Sequence, residues 1–260
     1  MNTTKGPSLQ SAAPFPHIIL DDVLKSEVAE AVLREFKILE QETIYYHQYN
    51  NQTIGCTRVE LSGPRTQRLF HDFQSVEFVR FLEQLTGIQG LLADPDLDGA
   101  GLHDTERGGY LNMHVDFLAH TTSKSRRRQL NLLLYLNKDW PEEYTGYPEF
   151  WDMKVKKCFQ KINPSFNRCV LFRTDRRAFH GYPDKLQCPP EASCKSIAFY
   201  YYRDEQRPCS LEPTYYQYLP TDPLWKKALI VGDGFAPLLR AVLQADIGRA
   251  ESAEGISLAG

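Results

Sequence analysis

The sequence predicts a mainly β protein with helical additions, in which a sandwich or barrel of short strands follows a helical N-terminal part. Short β-rich segments follow one another from about residue 101, separated by loops rich in Pro, Gly, Asn and Asp. No helical pattern falls between these segments, which argues against a βαβ fold. The 260 residues, 42% hydrophobic and 24% charged, suit one globular domain of generous size.

Two helices are predicted ahead of the barrel. A β-rich run at 17–20 precedes a helix that Asp21 or Asp22 can cap, after which apolar residues recur at three- and four-residue steps. A second helix is predicted over residues 75–85, with Gly87 as its stop.

These patterns divide the chain into a loose leader (1–13), one domain (14–208) and a C-terminal helical extension of that domain (209–260). Within the domain, residues 14–100 are predicted as helical support and residues 101–208 as the barrel. Seven barrel strands are predicted, near Tyr110–Phe117, Gln129–Leu136, Tyr147–Trp151, Lys157–Ile162, Arg168–Arg173, Ala178–Tyr182 and Lys195–Arg203.

Composition disfavours several classes of function. The net charge of −3 gives no general attraction to nucleic acid or to anionic membranes. No apolar run approaches the roughly 20 residues that span a bilayer, and the N-terminus does not resemble a secretory signal. The six cysteines show no CxxC spacing, so free thiols in the cytoplasm are expected. The sequence does not indicate an oligomeric state.

A His-x-Asp triplet ends the stretch GGYLNMHVDF at residues 108–117. His114 and Asp116 would lie on the same face of a strand, and two histidines with one carboxylate are typical of non-haem Fe(II) oxygenases. The triplet alone is weak evidence, because a polar pair on a half-exposed strand has the same pattern. His180 is favoured as a third ligand since its strand can lie beside the first, whereas His103 and His120 compete with it.

Several segments in order resemble the 2-oxoglutarate- and Fe(II)-dependent dioxygenases, and within them the prolyl 4-hydroxylase-like branch. LLLYLNKDWPEE resembles the segment after the metal pair in hypoxia-sensing prolyl hydroxylases, and FRTDRRAFHGYPD resembles their distal-histidine segment. CKSIAFYYYRDEQRP resembles their last core strand, and PFPHIILDDVL resembles the entry segment of the family. The resemblance covers roughly residues 14–208.

The resemblance implies a double-stranded β-helix, that is a jelly-roll core, with N-terminal helices packed on one sheet. His114, Asp116 and His180 would be the Fe(II) ligands, and Lys195 and Tyr135 would contact the distal carboxylate of 2-oxoglutarate. Family members often carry Arg where this chain has Lys195, and lysine offers a point charge rather than a bidentate fork. The other co-substrate would be O2, with ascorbate as an accessory reductant.

The implied reaction is hydroxylation of an unactivated C–H, with formation of succinate and CO2. Three hypotheses stay open: a hydroxylase of a small molecule or amino acid, a peptidyl prolyl hydroxylase, and a non-catalytic sensor of 2-oxoglutarate or metal. Substrate specificity lies in loops that one sequence does not reveal. The candidates for the substrate pocket are Tyr110, Arg126, Arg127, Arg128 and Tyr201.

The segment DPDLDGAGLHDTE at 94–106 begins like an EF-hand loop, but its twelfth position is Thr105 where a bidentate Glu is needed. A turn-rich loop that enters the barrel is the expected structure.

Overall fold

The computed structural model describes residues 12–36, the backbone of 44–48, and residues 50–210 and 212–230. Thirteen strands are described in it. They are β1 (His17–Leu20), β2 (Ile44–Gln48), β3 (Asn51–Cys56), β4 (Leu91–Ala93), β5 (Gly101–Glu106), β6 (Tyr110–Val115), β7 (Arg126–Tyr135), β8 (Glu149–Trp151), β9 (Cys158–Lys161), β10 (Arg168–Arg173), β11 (Phe179–Tyr182), β12 (Ser193–Asp204) and β13 (Tyr215–Tyr216).

The strands form one curled antiparallel sheet in the order β1-β10-β7-β12-β5-β3-β6-β11-β8-β9. Strands β2, β4 and β13 add to β3, β12 and β6. All seven predicted barrel strands are present, with shifts of a few residues at their ends. Gly108 links β5 to β6 with φ +83°, a left-handed conformation that favours glycine in the turn expected there.

The helices are α1 (Ser26–Glu35), α2 (Pro64–Phe73) and α3 (Val76–Thr86), and residues 224–230 are also helical. The predicted second helix is confirmed as α3: Ser75 accepts a hydrogen bond from the amide of Phe78 at 3.2 Å, and Gly87 ends the helix with φ +74°. The predicted caps of the first helix are wrong, because α1 begins after Lys25 without a side-chain cap and Asp21 instead binds Arg168.

The two faces of the sheet have different partners. Leu130, Leu132 and Leu134 of β7 pack with alternate residues of β12 and with the helices in the main apolar core. This face is called the outer face below. The opposite, inner face of β7 carries Tyr135, which packs with Phe172 of β10 inside the curl of the sheet. Alternation along each strand therefore decides whether a side chain meets the helices or the interior.

Five strands were not predicted, and three of them, β2, β3 and β4, lie in the part predicted as helical support. The sequence of β3, NQTIGC, lacks a clear hydrophobic alternation. It forms a strand because β2, β5 and β6 all pair with it. Tertiary pairing has overridden a weak local signal here.

The C-terminal extension begins with a strand rather than a helix. Strand β13 pairs with β6 beside His114, and the helical residues 224–230 follow. Most of the predicted leader, and the predicted helical pattern beyond residue 230, lie outside the described residues. Within the described part of the chain, none of the helices has the length and apolarity needed to cross a bilayer.

Candidate metal centre

Three predicted ligands come together on two neighbouring strands. His114 of β6 is paired in register with His180 of β11, and Asp116 follows directly after β6. The Nε2 atom of His114 lies 3.4 Å from Asp116 Oδ1, and that of His180 lies 3.5 Å from Asp116 Oδ2. One ligand atom from each residue lies within 4.8 Å of the others, so the group could hold one metal ion.

Backbone carbonyls orient both imidazole rings. His114 Nδ1 is 2.9 Å from the carbonyl of Asn112, and His180 Nδ1 is 2.9 Å from the carbonyl of Ala178. A carbonyl only accepts hydrogen bonds, so Nδ1 must carry the proton and Nε2 keeps its lone pair for a metal. This donor set of two neutral imidazole nitrogens and a carboxylate fits Fe(II).

The Asp116 carboxylate is held in place by β7. Asn131 donates a hydrogen bond to Asp116 Oδ2 at 2.6 Å, and Arg128 Nη1 lies 3.7 Å from Oδ1. Burial alone would raise the pKa of Asp116, but His180, His114 and Arg128 outweigh it and hold the pKa below its usual range. The carboxylate is therefore ionised and ready to bind a cation.

Burial keeps His180 in its neutral form. It lowers the pKa of His180 to about 4, with a further lowering by His114 that the Asp116 carboxylate partly opposes. The ring also packs edge-on against Phe172, with centroids 4.7 Å apart. A neutral imidazole at neutral pH is the form that binds a metal.

The two competing histidines do not join this centre. His103 lies on β5, and burial lowers its pKa to about 4. Buried His120 lies 3.1 Å from Asp94 through Nε2, and its Nδ1 accepts the amides of Thr122 and Ser123. His120 therefore ties the loop after β6 to the loop after β4.

In the EF-hand-like segment, a carboxylate accepts hydrogen bonds from the backbone amides of the same segment. Asp94 accepts hydrogen bonds from the amides of Asp96 and Asp98, at 3.2 and 2.8 Å. Asp94, Asp96 and His120 form a second group whose atoms could in principle approach one ion. Because Asp94 already serves His120 and two amides, a hydrogen-bonded turn explains this group without a cation.

The two residues expected at 2-oxoglutarate lie on opposite faces of the sheet. Tyr135 is paired with Ser196 of β12, and directly paired residues share a face, so both point inward. Lys195 is the next residue and points outward, where Nζ lies 3.7 Å from Asp104 and 5.9 Å from the centre of the Phe36 ring. The structure does not bring Lys195 to the centre.

Tyr201 shares this outer face, which corrects its expected place in a substrate pocket. It is buried in the core with the helices, and its hydroxyl donates to the carbonyl of Phe73 at 2.9 Å. Tyr110 is buried at the start of β6, with Lys185 Nζ 5.9 Å from its ring centre. It lies at the far end of β6 from Asp116.

The three arginines among the pocket candidates lie at the start of β7. Arg126 begins β7, and Arg127 forms an ion pair with Glu212 at 2.9 Å. Arg128 is 1% exposed, and its guanidinium lies between the rings of Phe117 and Tyr200, 3.8 and 3.7 Å from their centres. None of its three side-chain nitrogens has a hydrogen-bond partner among the described residues.

Sequence reasoning missed Asn131, which supports the centre from β7. The signal was present, because Asn131 and Tyr135 are four residues apart and must face the same side of a regular strand. The carbonyls of Asn112 and Ala178 carry no such signal, since a backbone group has no identity in the sequence.

Comparison with known proteins agrees with this geometry. The profile of the 2OG-Fe(II) oxygenase superfamily matches residues 100–203, which include all three predicted ligands. No curated protein sequence matches the chain significantly.

Solved structures with the same fold are distant in sequence. A prolyl-4-hydroxylase from Pseudomonas putida is 12% identical over 72% of this chain and 92% of its own, with a TM-score of 0.53. A prolyl 4-hydroxylase from Phytophthora capsici is 20% identical over 71% and 58%, with a TM-score of 0.50. HygX from Streptomyces hygroscopicus, solved with nickel and 2-oxoglutarate, is 14% identical over 72% and 82%, with a TM-score of 0.48. The first two likenesses confirm the predicted double-stranded β-helix.

Proposed function

We propose that His114, Asp116 and His180 hold the Fe(II) of a 2-oxoglutarate-dependent hydroxylase, because they lie within the segment that matches the profile of the 2OG-Fe(II) oxygenase superfamily and could hold one metal ion. The observation that carries this assignment is the free Nε2 of each histidine, aimed at an ionised Asp116. When bound, Fe(II) and 2-oxoglutarate supply the oxidising chemistry, in which O2 is consumed, succinate and CO2 form, and a C–H bond is hydroxylated.

The protein's own residues position and shield this chemistry. Asn131 and the two carbonyl-anchored histidines fix the ligand geometry, which a metal site requires of its surroundings. Phe172 packs against His180 and limits the access of water from the interior of the sheet.

The environment of Arg128 favours a substrate that carries a carboxylate or another strong hydrogen-bond acceptor. Its buried guanidinium lies beside Asp116 and lacks hydrogen-bond partners, which is costly unless a ligand or water accepts from it. Tyr202, Asp116 and Tyr200 offset the effect of burial and raise the pKa of Arg128, so it stays charged. A small amino-acid-type substrate would meet this cation near the iron.

The alternative is a peptidyl prolyl hydroxylase, in which Arg128 would donate a hydrogen bond to a peptide carbonyl. The similar prolyl hydroxylases share this fold, which is compatible with a peptidyl substrate. A shared fold does not by itself identify the substrate. A non-catalytic sensor is disfavoured by the intact ligand set. The proposed compartment is the cytoplasm, as expected from a sequence whose six cysteines show no CxxC spacing.

Substrate-dependent succinate formation tests the function. The Fe(II)-loaded protein is offered free amino acids, proline peptides and small metabolites, and one class should release succinate in proportion to hydroxylated product. Metal and 2-oxoglutarate binding without succinate in any class would favour the sensor.

Arg128→Met tests the substrate class, with Arg126→Met as the matched loss of a neighbouring charge. We expect KM for a carboxylate substrate to rise about 10- to 100-fold in R128M, the value of a charged hydrogen bond. R126M should leave KM unchanged, and metal affinity should be measured for both variants. An unchanged KM in R128M would remove Arg128 from substrate binding.

A further inference from the structure

The end of the sheet interior around Tyr135 contains hydroxyl groups where a cation was expected. Cys194 and Thr105 are paired in register, and Ser196 is paired with Tyr135, so these side chains share the inner face. Lys195 is paired with Asp104 on the other face, and its Nζ also contacts Ser193 Oγ. An ammonium on that side would have to pass through the sheet to reach Tyr135.

Two hydroxyl sites lie at this end. The hydroxyl of Tyr182 is 3.0 Å from Thr105 Oγ1. The hydroxyl of Tyr135 forms no hydrogen bond with another described residue, although the residue is only 5% exposed. Cys194 and Ser196 lie two residues apart on the same face of β12, so their partners Thr105 and Tyr135 are near neighbours on the inner face.

We propose that the hydroxyls of Tyr135 and of the Tyr182–Thr105 pair, rather than Lys195, hold the distal carboxylate of 2-oxoglutarate. This inference rests on the proposed function, and it concerns how the co-substrate binds.

The number of available O–H groups suits a carboxylate. Within the Tyr182–Thr105 pair one hydroxyl donates to the other, which leaves one O–H for a ligand. Tyr135 adds a second O–H, so each carboxylate oxygen can accept one bond. Burial raises the pKa of Tyr135 and of Tyr182, and both therefore remain protonated donors at neutral pH.

The other cations near the interior are engaged or distant. Lys161 lies in a cleft beside Tyr182, but its Nζ is 2.6 Å from Glu149. Arg128 lies near the opposite end of β7 from Tyr135, on the far side of Asn131 and the metal ligands. At about 3.3 Å per residue, the seven residues from Arg128 to Tyr135 span more than 20 Å. Neither Lys161 nor Arg128 is therefore placed to bind a carboxylate at Tyr135.

Binding of 2-oxoglutarate to the Mn(II)-loaded protein, measured anaerobically by calorimetry, tests the inference. Tyr135→Phe, and Tyr182→Phe combined with Thr105→Val, each remove an O–H donor to the carboxylate, and each should weaken 2-oxoglutarate about 10-fold or more. Lys195→Met and Lys161→Met should change the affinity less than about threefold, which is a difference of well under 1 kcal/mol. Mn(II) affinity and the thermal transition should stay near wild type in all four variants.

Loss of 2-oxoglutarate binding in K195M or K161M, with little effect of the two Phe variants, would overturn the inference. If the wild type binds Mn(II) but no 2-oxoglutarate, the proposed function itself fails, and the two failures are thus distinct.

Discussion

At the scale of single residues, the metal centre depends on which atom each side chain presents. His114 and His180 each sit two residues after the carbonyl that binds their Nδ1, in the same local geometry on two strands. Their pairing in register then brings both Nε2 atoms to Asp116. The centre is thus assembled by two repeats of one local hydrogen bond and by one strand pairing.

Asn131 should contribute to metal affinity although it is not a ligand. Asn131→Leu removes the 2.6 Å hydrogen bond that orients Asp116, and such supporting bonds are typically worth 10- to 100-fold in metal affinity. We expect Mn(II) binding, measured by competition with a chelator, to weaken within that range. Asn163→Leu is the control, since Asn163 binds Trp140 and Tyr147 instead. Equal losses in both variants would indicate a general structural effect.

His103 and His180 should make the metal-free protein sensitive to acid. Burial lowers the pKa of each to about 4, below the ordinary 6.5, so the unfolded chain binds these protons between pH 6.5 and 4 and the folded chain does not. The free energy of unfolding is therefore highest above pH 6.5 and falls as the pH drops toward 4. Urea unfolding across this range should show a shallower fall in His103→Asn than in the wild type. An identical slope would mean that His103 titrates normally.

At the scale of elements, strand alternation decides which of the predicted site residues face the interior of the sheet. Tyr135 and Asn131 share the inner face of β7, as their spacing requires. Lys195 and Tyr201 are six residues apart on β12, and both lie on the outer face. The sequence KSIAFYYYR is apolar on both faces, so it does not reveal which set of residues points inward.

The segment before β13 is fastened to the barrel through one carboxylate. Glu212 accepts from Arg127 at 2.9 Å and from Arg176 at 3.1 Å, and its backbone carbonyl accepts the amide of Leu118. The pKa of Glu212 is lowered by these hydrogen bonds with Arg127 and Arg176 in spite of partial burial. This attachment holds β13 against β6, where the Tyr216 ring lies 5.5 Å from that of His114.

Glu212→Ala should therefore reduce stability more than an ordinary surface change. Losing a part-buried pair of charged hydrogen bonds is expected to lower the free energy of unfolding by about 1–3 kcal/mol. Glu205→Ala is the matched control, because the Glu205–Arg203 pair is more exposed and should contribute less than about 1 kcal/mol. Urea unfolding at pH 7 measures both, and equal effects would contradict the role given to Glu212. Because the pKa of Glu212 is lowered, the difference should shrink as the pH falls below its ordinary value of 4.5.

At the scale of the whole molecule, the sequence predicts the barrel strands better than the parts around them, and it singles out three residues that the fold brings together. The ordered motifs place His114, Asp116 and His180, and the seven barrel strands follow from β-rich runs between turns. Strands β3 and β13 could not be predicted, because they depend on pairing with strands far away in the sequence. The outward position of Lys195 depends on the register between β5 and β12, which no local pattern encodes.

Metal binding should stabilise the whole domain, and variants can locate the ion. Mn(II) at 100 times its Kd should add about 2.7 kcal/mol to the free energy of unfolding. In a domain of this size that corresponds to a rise in Tm of about 5–10 °C.

Asp116→Ala should abolish the rise, because it removes the carboxylate of the metal centre. Asp94→Asn should lower the starting Tm, since Asp94 binds His120 and two amides, yet keep the metal-induced rise. Scanning calorimetry with and without Mn(II) gives all three values. A rise that survives in D116A and disappears in D94N would place the ion at the loop of residues 94–98 and refute the assignment to His114, Asp116 and His180.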